Sequence, residues 1–94
     1  MPQAAMTHHA ARRAQQRGIQ AEVLPLLMQF GVHEYDKRGA KLMYLTHKSK
    51  ERIRRSVGSD AFRRIEPALG VYAVVDERGT VITVGHRTHR INRN

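Results

Sequence analysis

Two groups of histidines sit among arginines near the two ends of the chain. His9 is followed at helical spacing by Arg13 and Arg17, and His86 is followed by Arg87, His89 and Arg90. Imidazole changes charge near neutral pH, so it can take a proton in one step and give one in the next. A guanidinium presents a fork of donors matched to phosphate oxygens, and it stabilises charge that develops on them. Together these groups suit metal-independent cleavage of a phosphodiester by its own neighbouring 2′-hydroxyl. One imidazole would act as base and a second as acid for the leaving 5′-oxygen. The catalytic candidates are therefore His9, Arg13, His86 and His89. The candidates for holding phosphate are Arg17, Arg87, Arg90, Lys48, Arg54 and Arg55. Against this stands the plainer expectation that each histidine, taken alone, is a surface or satisfied polar residue.

Charge favours an anionic partner. Seventeen Lys and Arg face eight Asp and Glu, a formal net charge of +9 over 94 residues. A surplus this large repels itself, and it concentrates polyanions at the surface. Nucleic acid, an acidic protein and an anionic membrane surface are the classes it admits. Low aromatic content (Phe30, Phe62, Tyr35, Tyr44, Tyr72) argues against a sheet that stacks several bases. Backbone contact, which is salt-sensitive and poor in sequence information, fits better.

Other chemistries lack their residues. There is no cysteine, hence no disulfide and no thiolate zinc site. His8 with His9, and His86 with His89, are the histidine pairs, and no acid falls at a matching spacing, so neither metal nor cofactor is expected. The chain shows no glycine-rich phosphate loop and no nucleophile elbow. It has neither a secretory leader pattern nor an apolar run of the roughly 18 residues a membrane span needs. A cytoplasmic location is the expectation.

The elements that must position these residues follow from periodicity. Thr7 is placed to cap a helix over 8–17, with Met6, Ala10 and Ala14 inward and His9, Arg13 and Arg17 on a second stripe. Gly18 should stop it. A second helix is expected over 20–30, with Val23, Leu26, Leu27 and Phe30 facing the core. Pro25 suits only a first turn, so this helix should start late or kink there. Residues 32–36 and 40–46 read as a β-hairpin around the turn DKRG. Residues 47–57 carry only Ile53 and Val57 as an apolar face and should be solvated and basic. A short helix with Phe62, Ile65 and Leu69 inward follows the break at 58–60. The strands 70–76 and 80–85 flank ERG, the strongest hairpin signal in the chain. Residues 1–6 should be a flexible lead-in and 86–94 a basic tail. The fold class is α+β in a single domain over 1–94. Two N-terminal helices should pack on an antiparallel sheet, with a helical insertion before the last two strands.

The run His9-Ala10-x-x-Arg13-x-x-x-Arg17-Gly18-Ile19 resembles the opening of a small bacterial family with the pattern H-A-x-x-R-x-x-x-R-G-I. That family is similar to the RelE/barnase/colicin-like group of metal-independent ribonuclease toxins. The resemblance covers the two ends of the chain, including the final strand TVITV, whereas 47–69 and the His- and Arg-rich tail depart from the pattern. It implies RNA as substrate (tRNA, mRNA or ribosome-associated) and an acidic antitoxin or immunity protein as partner. Members of the broader group also act as binders without catalysis, so a non-catalytic nucleic-acid-binding module or regulator is the alternative. A homodimer through exposed hairpin edges is a further option.

Overall fold

A computed structural model describes residues 5–36 and 38–87. The element order is α1 (His8–Gln16), α2 (Val23–Phe30), β1 (Val32–Tyr35), β2 (Lys41–Tyr44), α3 (His47–Val57) and α4 (Ser59–Ile65). A 3₁₀ turn at Glu66–Ala68 then leads into β3 (Val71–Val75) and β4 (Val81–His86). The strands form one antiparallel sheet in the order β1-β2-β3-β4. The α+β class, the two leading helices and the helical segment between β2 and β3 are as the periodicity implies.

The alternation of β3 sets the layering. Val71, Ala73 and Val75 are buried, while Tyr72 and Val74 are half-buried. Met43 of β2 and Val84 of β4 pair with Ala73, so their side chains share its face. That face joins Ala10, Ile19, Val23, Leu27, Ile53 and Phe62 in one core. The helices therefore cover one side of the sheet. The other side carries Leu42, Tyr44, Tyr72 and Val74. Tyr72 lies across Gly85, where an added Cβ would come within 2.6–2.7 Å of the phenol.

Local chemistry explains the ends of α1. The Thr7 hydroxyl accepts from the Ala10 amide at 3.1 Å, satisfying one of the orphan donors of the first turn. Gly18 takes φ +66°, a left-handed conformation that L side chains resist. The turn lets the Ile19 amide donate to the Ala14 carbonyl at 2.9 Å and buries the Ile19 side chain. The Gly-Ile of the opening motif is thus a helix stop and a core anchor.

Several boundaries differ from expectation. The second helix begins at Val23, which places Pro25 in its first turn, where a missing N–H costs nothing. The expected flexible lead-in of 1–6 is in part tied down. The Val81 amide donates to the Ala5 carbonyl at 2.8 Å, the Thr7 amide donates to Val81 at 3.0 Å, and Met6 packs on the core. Residues 1–4 lie outside the described residues. The insertion forms two helices, and its second begins directly at Ser59 behind Gly58 at φ +92°.

Candidate nucleic-acid interface

Pairing of residues 5–7 beside the start of β4 aims α1 along that strand. Its first turn lies near Val81 and its last turn near His86. The His86 Nε2 sits 2.6 Å from the Arg17 carbonyl, so the imidazole donates to an orphan carbonyl at the helix end. This contact sets where His86 lies relative to His9. His9 is two turns back along the same helix, about 12 Å of rise from Arg17. The structure brings His86 to the backbone of Arg17, the last residue of the stripe that begins at His9. His89 and Arg90 lie outside the described residues.

On α1 the side chains sort by helical position. Ala10 is fully buried and Ala14 packs on the core. Arg13 is half-buried, with its Nε shielded from water and without a hydrogen-bond partner among the described residues. His8, His9, Arg12, Gln16 and Arg17 are exposed. A shallow furrow runs between two rows of the helix, lined by His8, His9, Arg12, Arg13 and Gln16. Two imidazoles and two guanidiniums share this furrow, and among the described residues no carboxylate lines it. The furrow sets His8 and Arg12 beside the candidates His9 and Arg13. Their signal was present in the sequence as the row 8, 12, 16 beside the row 9, 13, 17.

The remaining nominated cations have diverse roles. Arg87 serves the fold. Its guanidinium stacks over the Tyr44 ring at 4.5 Å, its Nη1 donates to the Leu45 carbonyl at 3.2 Å, and its amide donates to Gly70 at 2.8 Å. Tyr44 in turn donates from its hydroxyl to Glu34 at 2.6 Å. Arg87 therefore laces β4 to β2 across the start of β3. Arg54 is held by Glu51 at 2.6 Å, the one ion pair among the described residues. This hydrogen bond holds the Glu51 carboxyl below its ordinary pKa and the Arg54 guanidinium above its own. Lys48 and Arg55 are exposed on α3.

Comparison with family models, with curated proteins and with solved structures gave no match. The reading of this surface rests on its own geometry and charge. Among the described residues no three of His, Asp and Glu converge as metal ligands would, and no helix is long and apolar enough to cross a membrane. A second depression of about 450 Å³ lies at the opposite end of the sheet from His86, between the two hairpin turns. It mixes Arg38 and Arg78 with Asp36, Asp76 and Glu77 over an apolar floor of Val74 and Ile82. Its mixed charge suits a polyanion less well than the furrow on α1 does.

Proposed function

We propose that the protein is an RNA-binding domain of ribonuclease-toxin type, acting in the cytoplasm, and that the exposed face of α1 is its phosphate-contacting surface. One observation carries this reading: the furrow on α1 gathers His8, His9, Arg12 and Arg13, with no carboxylate among the described residues that line it. In a chain of net charge +9 such a face lowers the energy of a polyanion brought against it. The preference for RNA comes from the resemblance of the opening motif to ribonuclease toxins. An acidic protein of antitoxin or immunity type would compete for the same face.

Cleavage is a second reading, favoured by the presence of two imidazoles in the furrow. His9 beside Arg13, with His8 one position away, supplies a base, an acid and cations without recourse to His86. The deciding experiment is incubation of structured and total RNA with the protein in EDTA, beside His8→Ala, His9→Ala and His86→Ala. Loss of cleavage in His9→Ala, with 2′,3′-cyclic phosphate ends from the wild type, would establish a ribonuclease. RNA that stays intact while bound tightly would establish the binding module. Absence of both cleavage and binding would overturn the proposal.

A further inference from the structure

The structure separates one paired cation of α3 from an exposed row of three others. Arg54 is occupied by Glu51 at 2.6 Å. Lys48, Arg52 and Arg55 fall at i, i+4 and i+7, so they share one exposed helix face about 10 Å long. None of the three has a carboxylate within ion-pair distance among the described residues. The middle of the row is also held in place: the Arg52 guanidinium lies over the Phe30 ring of α2 at 5.8 Å. Thr46 anchors the start of the helix, its hydroxyl accepting from the Ser49 amide at 3.1 Å. Arg52 is thereby set in place between Lys48 and Arg55, and a cation held in place is preorganised for an anion.

We propose that this face of α3 is a second phosphate-contacting surface, and that its ligand is double-helical RNA. The inference rests on the RNA reading of α1 and extends it to the class of RNA held. A single strand is commonly gripped by aromatic side chains on which its bases stack. The α3 face offers none, because Phe30 lies beneath Arg52. A duplex instead presents rigidly spaced phosphates and is read by shape through its backbone. A helix bearing Lys and Arg one turn apart meets that requirement. The α1 furrow and the α3 row would then hold different parts of one folded RNA, with its stem on α3. The resulting contact is bivalent, and losing either arm weakens binding without abolishing it.

The test measures Kd against salt for a hairpin RNA and for an unstructured strand of equal length, using the full chain. Lys48→Gln/Arg55→Gln removes two free cations and spares the Arg52–Phe30 stack. Arg38→Gln/Arg78→Gln, at the hairpin turns, removes the same charge elsewhere. The expected result is a roughly tenfold rise in Kd for the hairpin with the α3 pair, and a salt slope shallower by about two. The strand should be less affected, and the turn pair should change little. Circular dichroism checks that both variants keep the wild-type helix content. Equal losses from both pairs would show attraction by net charge alone and would overturn the inference, as would an unchanged hairpin affinity in the α3 pair. If the wild type binds RNA and only the α1 variants weaken it, this inference fails while the proposed function stands. If the wild type binds neither RNA, both fail.

Discussion

Thr7 shows how much a single side chain does at the entrance to the site. Its backbone pairs with Val81 and its hydroxyl caps α1, so Thr7→Ala should cost about 1 kcal/mol of stability. Thermal unfolding checks this, with Thr7→Ser expected to recover most of the loss. At Gly85 the constraint is space. Gly85→Ala would drive a methyl group into the Tyr72 ring, at a cost of about 1–3 kcal/mol. A double-mutant cycle should show the penalty shrinking in a Tyr72→Ala background; a penalty of equal size in both backgrounds would show that Tyr72 is not the obstacle. Some of the site was legible at this scale and some was not. Spacing put Arg13 and Arg17 on a stripe with His9, and composition marked the stripe as basic. Spacing had no means of showing that Arg87 stacks on Tyr44 and donates to the Leu45 carbonyl, because those contacts join residues remote in sequence. Nor did it show that His86 meets a backbone carbonyl, since the acceptor is invisible in side-chain patterns.

At the scale of elements, the two hairpin turns repeat one device. Asp36 accepts from the amides of Arg38 and Ala40 at 2.8 and 3.0 Å, and Asp76 accepts from those of Arg78 and Thr80 at 2.9 Å each. Gly39 and Gly79 follow with φ near +88° and +86°. The shared D-x-R-G is therefore turn chemistry, which ties both hairpins at the same end of the sheet. Asp76→Ala should destabilise by about 1–2 kcal/mol, and Asp76→Asn, which keeps an acceptor oxygen, by less; denaturant unfolding separates the two. On α3 the Glu51–Arg54 pair carries a pH signature. Arg54 lowers the Glu51 pKa, so the support is present above the unfolded carboxylate value and is lost as pH falls through the folded one. Helix content should decline at acid pH in the wild type and less so in Glu51→Gln. Strands and helices were largely legible in the sequence because their apolar periods are strong, as in Val71, Ala73 and Val75. The boundaries at residues 20–23 and 58–61 were less so. There a proline fits a first turn or a kink by pattern alone, and only packing of Val23 and Leu27 decides between them.

Across the whole molecule, charge and topology act together. The helices occupy one face of the sheet, and α1 lies along the last strand. Its exposed side therefore carries the imidazoles and guanidiniums outward while Ala10 fills the core. One ion pair among the described residues leaves most of the positive surplus unspent on the protein itself. The size of that surplus was legible from composition, whereas its division between α1 and α3 required the fold. The most direct test of the central claim is the salt dependence of RNA affinity for the wild type beside Arg12→Gln/Arg17→Gln, two exposed cations, one on α1 and one capping its end, whose loss spares half-buried Arg13. The account predicts tight wild-type binding that weakens steeply with salt, and a variant with a slope shallower by about two. A wild type that leaves RNA unbound at low salt, or a variant with unchanged affinity and slope, would contradict it.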